Sequence, residues 1–239
     1  MDPPGEGSSP GAARPWEDLL ERLAQQPWRV RLDPPRSGAA NMAADEALLE
    51  TAAQPVLRLY SWEGPCLSLG WAQRRGWLDE ETCRRAGVEV VRRPTGGRAL
   101  LHLPGEITYA LVLPDTEGVS VAAAFAGITA SLARALRSLG VPVRVAGATA
   151  GPLTASCLSR VQAGELVLGE RKLVGSAQVR RGGRLLQHGA LPRRVDAALW
   201  QSLLPGPCPA DLASCGRADL RPEDLAAAWL AALGPSGGL

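Results

Sequence analysis

Alternating apolar and polar positions dominate much of the chain and predict β-strands. The segments with this pattern are WRVRLD, PVLRLYSW, PCLSLGW, VEVVRRP and GEITYALVLP, followed by two tight hairpins, ELVL–GER–KLVGSAQV and QVRR–GG–RLLQHGAL. Glu63 and Gly64 supply a turn between the second and third strands, and Pro94 ends the fourth. The pair Gly182 and Gly183 suits a type I′ turn in the last hairpin.

Helical periodicity appears in fewer segments. In the clearest one, Ser120 is expected to cap the helix and Gly140 to end it. The apolar stripe of this helix consists of Val121, Phe125, Ile128, Leu132, Leu136 and Leu139. The other predicted helices span residues 16–26, residues 41–51 with Asn41 as N-cap, residues 79–86 and residues 221–233. Strands interleaved with few helices predict an α+β fold with mixed β-sheets flanked by helices.

The composition is that of an ordinary globular protein, with 46% hydrophobic and 21% charged residues. The Pro-, Gly- and Ser-rich start predicts a flexible N-terminal extension with a short helix over 1–27, followed by a single domain over 28–239. A net charge of +2 does not predict nucleic-acid binding. Because no segment reaches the roughly 20 apolar residues of a membrane span and no signal peptide is evident, we expect a soluble, cytoplasmic protein without a membrane partner.

The counts of cysteine, histidine and lysine restrict the possible chemistry. Five cysteines without C-x-x-C spacing and only two histidines predict reduced thiols and no metal site. Of the 26 basic residues, Lys172 is the single lysine. Lysine offers a compact ammonium group, whereas the arginine guanidinium is planar and always charged. A chemical role is therefore the favoured interpretation of Lys172, and chance survival in an arginine-rich chain is the alternative.

Three segments carry candidate chemistry, and the first is RRPTGGRALLH. Thr95, Gly96 and Gly97 add little side-chain bulk after the strand, so a ligand can approach the backbone closely. The side chains that could hold a phosphate or a carboxylate are those of Arg92, Arg93 and Arg98. The alternative is a simple turn between two strands.

The second segment is GERKLVGSAQVRRGGRLLQHGAL. Lys172 opens a strand directly after a turn, so its ammonium group can reach a cleft. Gly175 and Ser176 interrupt that strand with small residues, which again permits close approach by a ligand. Gln178 and His188 add polar groups, although His188 taken alone is typical of a structural histidine.

The third segment, TASCLS, places Cys157 in a loop of small residues predicted over 145–159. A cysteine acts as a nucleophile through its thiolate, which needs a nearby positive charge. Lys172 follows fifteen residues later, far enough along the chain for a loop and strand to double back. The alternative for Cys157 is a small buried hydrophobe, and we give that interpretation to Cys66, Cys83, Cys208 and Cys215.

Together these segments resemble the superfamily of lipoate–protein ligases, octanoyltransferases and biotin–protein ligases. NMAADEALLE with PVLRLYSWEGPCLSLGWAQ resembles its N-terminal block, RRPTGGRALLH its acyl-binding signature, and GERKLVGSAQVRRGGRLLQHGAL the block with its catalytic lysine. One departure is that His102 precedes Leu103, Pro104 and Gly105, where relatives usually have an acidic or amide residue. The resemblance implies a biotin/lipoate–protein ligase-like catalytic domain over 28–239.

Within that superfamily, the chain looks most like octanoyltransferases of the LipM type, in which a cysteine stands fifteen residues before the lysine. This likeness implies that Cys157 and Lys172 are catalytic and that neither a cofactor nor a metal is needed. The substrate-binding residues that it implies are Arg93, Thr95, Gly96, Gly97, Arg98, His102, Gly175, Ser176, Gln178 and His188.

The implied activity is that of an octanoyl-[acyl carrier protein]:protein N-octanoyltransferase. Octanoate would pass from acyl carrier protein, through a Cys157 thioester, to a lysine of a lipoyl domain, either the glycine cleavage H protein or an E2 subunit. Three alternatives to this activity stay open.

An amidotransferase between lipoyl domains would use the same two residues. An ATP-dependent lipoate–protein ligase has an Asn–Asp pair near the cysteine position and usually an accessory C-terminal domain, for which this chain is too short. An inactive binding module would have no reason to retain Cys157 and Lys172.

Overall fold

The computed structural model describes residues 15–147 and 164–234, which form two β-sheets flanked by helices. The predicted α+β class with mixed sheets is therefore confirmed. Cys157 and most of the loop predicted over 145–159 lie outside the described residues. Val145, at the start of that predicted loop, belongs instead to a two-residue strand.

The larger sheet has seven strands in the order β1-β2-β6-β10-β9-β8-β7. Their bounds are β1 Arg29–Leu32, β2 Val56–Tyr60, β6 Ile107–Leu113, β7 Arg144–Val145, β8 Leu166–Leu168, β9 Arg171–Arg181 and β10 Arg184–Leu191. β1 and β2 pair in parallel, and every other neighbouring pair in this sheet is antiparallel. All seven residues of β6 are buried, because the strand lies between β2 and β10 and is covered on both faces.

The smaller sheet has three strands in the order β4-β3-β5, with bounds β3 Cys66–Leu69, β4 Glu89–Arg92 and β5 Leu100–His102. β3 is parallel to β4 and antiparallel to β5. The predicted strands PVLRLYSW and PCLSLGW are both present as β2 and β3, but they lie in different sheets. The turn at Glu63 and Gly64 therefore carries the chain from one sheet to the other and does not close a hairpin.

The part of the chain that the structure describes contains six α-helices: α1 Pro15–Ala24, α2 Gly38–Thr51, α3 Glu80–Arg85, α4 Val121–Ser138, α5 Ala197–Leu203 and α6 Pro222–Leu233. Ser120 caps α4 as predicted, since its hydroxyl accepts a hydrogen bond from the Ala123 amide. Two predictions were wrong. Ser37, not Asn41, caps α2. Val121 is 58% exposed, so it does not belong to the apolar face of α4.

Helix α1, which the sequence placed in the N-terminal extension, packs into the main core. Leu19 and Leu23 are buried there together with Leu132 and Leu136 of α4. The indole of Trp16 lies directly over Gly127, where a side chain would collide with the ring. Among the described residues, no helix is long and apolar enough to cross a membrane.

Candidate functional site

A cavity of about 310 Å³, part of it open to solvent, lies where the two sheets face each other. Its lining residues are Met42, Ser68, Arg93, Leu100, His102, Thr108, Gly175, Ser176, Ala177, His188 and Gly189. Two of the three sequence segments thus converge here, one through β5 and one through the hairpin of β9 and β10. α2 contributes Met42 from the N-terminal segment.

Small residues on β9 and β10 form one wall of the cavity. Gly189 lies opposite Ser176 in the antiparallel ladder. A Cβ atom on Gly189 would come within 2.7 Å of the Gly175 carbonyl oxygen and of the Tyr109 ring. The hydroxyl groups of Tyr109 and Ser176 are hydrogen-bonded at 2.7 Å. Glycine at position 189 therefore lets β9, β10 and the Tyr109 ring pack closely together at this wall.

The Thr95–Gly96–Gly97 loop is held in place by the guanidinium of Arg93. That group is buried and donates to the carbonyls of Gly96 (2.8 Å), Arg98 (2.7 Å) and Ser68 (2.8 Å). Gly97 has a φ of +91°, a left-handed conformation that favours glycine. Arg93, predicted to contact the substrate, thus also determines the shape of the loop.

His102 lies in the cavity wall with both ring nitrogens occupied. Its Nδ1 is hydrogen-bonded to Glu106 Oε1 (2.6 Å) and its Nε2 to Ser68 Oγ (2.8 Å). The indole of Trp62 stacks on the ring at a centroid distance of 3.9 Å. Glu106, four residues after His102, supplies the acidic partner that the sequence lacks at Leu103.

His188 is bound in the same manner on the other side of the cavity. Its Nδ1 is hydrogen-bonded to Asp45 Oδ2 (2.9 Å) and its Nε2 to the hydroxyl of Thr95 (2.7 Å). Burial lowers the pKa of His188 below its ordinary value, with the Asp45 carboxylate opposing this shift. The ring is therefore neutral, with Nδ1 donating to Asp45 and Nε2 accepting from Thr95.

A buried ionic network behind His188 holds Asp45 in position. The fully buried guanidinium of Arg58 binds Asp45 (2.6 Å), Asp33 (2.8 Å) and the side-chain oxygen of Asn41 (2.8 Å). The hydroxyl of Tyr60 also donates to Asp45 (2.9 Å). Sequence reasoning missed this network, because an arginine inside the apolar strand β2 gives no sign of its distant partners.

Lys172 is buried on β9, where its ammonium group forms an ion pair with Glu165. Glu165 immediately precedes β8, the strand that pairs with β9 through a bulge at Leu166 and Val167. Only 2% of Lys172 and 8% of Glu165 is exposed. The single lysine of the chain is thus enclosed beside a carboxylate that sequence reasoning did not single out.

The sequence of the chain matches the family model of the lipoyl protein ligase A/B catalytic domain over residues 37–223. The chain belongs to this family. It is 45% identical over 170 residues to the octanoyltransferase LipM of Carboxydothermus hydrogenoformans, an alignment covering 67% of this chain and 62% of that protein. It is 40% identical over 187 residues to LipM of Kyrpidia tusciae, covering 72% of this chain and 68% of that protein. The chain therefore spans about two thirds of the length of these relatives.

Solved structures of lipoate–protein ligases share the fold. A putative lipoate protein ligase from T. acidophilum with bound lipoic acid superposes with a TM-score of 0.72 at 22% identity. A lipoate-protein ligase A bound with ATP gives a TM-score of 0.73, also at 22% identity. Each superposition covers 85% of this chain and 83% of the other. The predicted lipoate–protein ligase-like fold is confirmed.

In this member of the lipoyl protein ligase family, the predicted substrate-binding residues divide into three groups by position. The residues that line the cavity are Arg93, His102, Gly175, Ser176 and His188. The adjoining loop carries Thr95, Gly96, Gly97 and Arg98. Gln178 is not among the lining residues, and its amide donates to Gln187 (3.0 Å). The roles assigned to all of these residues stay predictions, as does that of Cys157.

Of the four cysteines that the structure describes, two are buried, as expected for small hydrophobic residues, and two are partly exposed. Cys66 and Cys83 are buried, and burial raises the pKa of both thiols above the ordinary value. Cys208 and Cys215 are half-buried, and the Cys215 thiol donates to the Leu212 carbonyl (3.3 Å). Within residues 15–147 and 164–234, no three His, Cys, Asp or Glu side chains are grouped closely enough to hold a metal ion.

Proposed function

We propose that this chain transfers an octanoyl group from acyl carrier protein to the lysine of a lipoyl domain, through a thioester on Cys157. The acceptor is the glycine cleavage H protein or an E2 subunit. The observation that carries this proposal is the 34–45% identity to octanoyltransferases LipM. The likeness to ligases of known structure, at 22% identity, speaks for the fold alone.

The cavity supports an acyl ligand because its polar lining is already hydrogen-bonded within the protein. Both nitrogens of His102 and both nitrogens of His188 have protein partners. These rings therefore present carbon surface to a ligand, alongside Met42 and Leu100. A mainly apolar lining with a few fixed polar groups is the usual character of a small-molecule site and suits a hydrocarbon chain.

The reaction proceeds in two acyl transfers. The Cys157 thiolate attacks the carbonyl carbon of the carrier thioester, and a C–S bond to Cys157 forms as the C–S bond to the carrier breaks. The carrier sulfur leaves as a thiolate and takes up the proton that the Cys157 thiol had released. The neutral amine of the acceptor lysine then attacks the Cys157 thioester, forms the amide and returns the thiol to Cys157. Because the acyl group stays at the energy of a thioester until the last step, no ATP is consumed.

Lys172 supplies the positive charge that this chemistry needs. Its ammonium group stabilises the Cys157 thiolate and the oxyanion that forms during each attack. The raised thiol pKa values of Cys66 and Cys83 make those two cysteines unsuitable as nucleophiles at neutral pH. The buried carboxylate of Glu165 orients the ammonium group.

Intact mass spectrometry after mixing the protein with octanoyl-acyl carrier protein tests the proposal. We expect a gain of one octanoyl group that hydroxylamine removes, absent in Cys157→Ala and retained in the control Cys208→Ala. Transfer by Cys157→Ala at the parent rate would exclude the thioester mechanism. Efficient loading of free lipoate that requires ATP would assign the chain to the ligases instead.

A further inference from the structure

Trp71 is the most exposed of the large apolar side chains that the structure describes, with 62% of its surface accessible. It follows β3 in the loop that leads toward α3. A single exposed apolar residue needs no explanation on its own. The surroundings of Trp71 are unusual in three respects: the rigidity of its loop, the nearness of the cavity, and the charges beside it.

The backbone of the Trp71 loop is fixed by several hydrogen bonds. The guanidinium of Arg92 donates to the carbonyls of Gly70 (2.6 Å), Trp71 (2.7 Å) and Gln73 (3.1 Å). The backbone amide of Gln73 donates to the Gly70 carbonyl (3.0 Å). An aromatic side chain on a preorganised loop loses little conformational entropy when a partner covers it.

The same loop adjoins the cavity. The Trp71 amide donates to the carbonyl of Thr95 (2.9 Å), whose hydroxyl binds His188 in the cavity wall. Gly70 packs so closely against the Gly97 carbonyl that a Cβ atom would collide with it. The Trp71 loop is therefore fastened directly to the Thr95–Gly96–Gly97 loop beside the cavity.

Positive charge flanks Trp71 without compensation from the described residues. The side chains of Arg74 and Arg98 make no ion pair or hydrogen bond with any residue in the described ranges. By contrast, Arg75 pairs with Glu80 (3.5 Å), and Arg92 is occupied by backbone carbonyls. Arg74 follows Trp71 by three residues, and Arg98 follows the Gly97 that packs against Gly70. Two arginines on these adjoining loops suit a partner with an acidic surface.

We propose that Trp71, Arg74 and Arg98 form the docking surface for the acidic acyl carrier protein that delivers the octanoyl group. This inference rests on the proposed function. The donor fits better than the acceptor, because its acyl group hangs on an arm that contains a phosphodiester. Arg98 directly follows Gly97 in the loop beside the cavity, which places a positive charge where this anion can be bound.

Steady-state kinetics with two donors tests the docking surface. Octanoyl-acyl carrier protein needs the surface, whereas octanoyl-N-acetylcysteamine, a small thioester, does not. We expect Trp71→Ala to raise the KM for the carrier-bound donor about tenfold or more, and Arg74→Glu about three- to tenfold. Both variants should keep the parent rate with the small thioester. Added salt should raise the KM of the parent more than that of Arg74→Glu.

Matched controls separate docking from general surface effects. Leu32→Ala removes another exposed apolar side chain, and Arg29→Glu reverses another exposed arginine, both on β1. Neither should change the KM for the carrier-bound donor. The proposal is overturned if Trp71→Ala and Arg74→Glu leave that KM within twofold, if they impair both donors equally, or if they raise only the KM for the lipoyl-domain acceptor.

Direct binding keeps the result independent of turnover. Isothermal titration calorimetry with carrier protein that has no acyl group should show binding to the parent. We expect Trp71→Ala to raise the Kd about tenfold. If the parent transfers octanoate from neither donor but binds the carrier through Trp71, the proposed function fails and the docking surface stands. If the parent is active and Trp71→Ala binds the carrier normally, only the docking surface fails.

Discussion

The ammonium group of Lys172 and the carboxylate of Glu165 form an ion pair in a part of the molecule that water scarcely reaches. In a chain with a single lysine, that lysine is neither on the surface nor alone. A buried charge is tolerated only when a partner compensates it, so the two residues depend on each other.

Replacement of Lys172 by arginine should abolish most transfer while the fold persists. The guanidinium keeps the charge, but it is planar and bulkier than the ammonium group, which is almost completely buried here. Loss of a preorganised donor at an oxyanion costs about 2.7–4 kcal/mol, or on the order of a hundred- to a thousandfold in rate. Single-turnover transfer and far-UV circular dichroism measure the two effects. A Lys172→Arg variant within a few-fold of the parent would make this lysine an accident of composition.

Removal of the carboxylate alone should destabilise the protein more than removal of both charges. Glu165→Gln breaks the buried ion pair by removing one partner, a change that typically costs about 3–5 kcal/mol. The double variant Glu165→Gln with Lys172→Met should recover part of that loss, because no buried charge is left. Urea denaturation of the parent, the single variants Glu165→Gln and Lys172→Met, and the double variant gives the coupling energy. Strictly additive effects would mean that the pair contributes nothing to the fold.

A methyl group at Gly189 should reduce both stability and substrate affinity. The new carbon would approach the Tyr109 ring and the Ser176 hydroxyl within 2.7 and 2.8 Å, and overpacking of this kind costs about 1–3 kcal/mol. The matched control is Gly64→Ala, since a Cβ atom there meets no described atom within 4 Å. Thermal unfolding and the KM for the octanoyl donor should change in Gly189→Ala only. Equal behaviour of the two variants would contradict the assignment of Gly189 to the cavity wall.

The stability of the protein should fall as the pH drops below the ordinary pKa of histidine, in part because of His188. Burial holds the pKa of His188 below that value, so the folded ring stays neutral while the unfolded ring binds a proton. The contribution is fully present above about pH 6.5 and is lost below it, at no more than about 1.4 kcal/mol per pH unit. His188→Gln should therefore show a shallower decline between roughly pH 7.5 and 5.5. Parallel curves for parent and variant would show that His188 binds the proton equally in both states.

Local patterns in the sequence predicted the elements of the fold well. Ser120 and Gly140 bound α4 through capping and backbone conformation, both of which act within a few residues. Gly182 and Gly183 each have positive φ, as the predicted turn requires. Helix caps and tight turns depend on interactions between residues a few positions apart, so they can be predicted from the local sequence.

The contacts that the sequence did not predict join residues that are far apart along the chain. Asp45 and His188 are 143 residues apart, and no local periodicity relates them. Asn41 has the identity of a helix cap, yet its side chain is buried against Arg58, because tertiary contacts outweigh local preference. Of the candidate site, the motif residues were recognised but their supporting partners, Asp45 and Glu165, were not.

The position of the cavity at the seam between the two sheets has a thermodynamic consequence. Ser68 and Leu100 come from the smaller sheet, and Ala177 and Gly189 from the larger one. A hydrocarbon chain seated there would bridge them, and each methylene withdrawn from water contributes about 0.8 kcal/mol. The bound acyl chain would then stabilise the packing of one sheet against the other. The free energy that holds the two sheets together would increase when the acyl group binds and decrease when it leaves. The cavity would therefore deform most easily in the empty protein, when the next donor must enter.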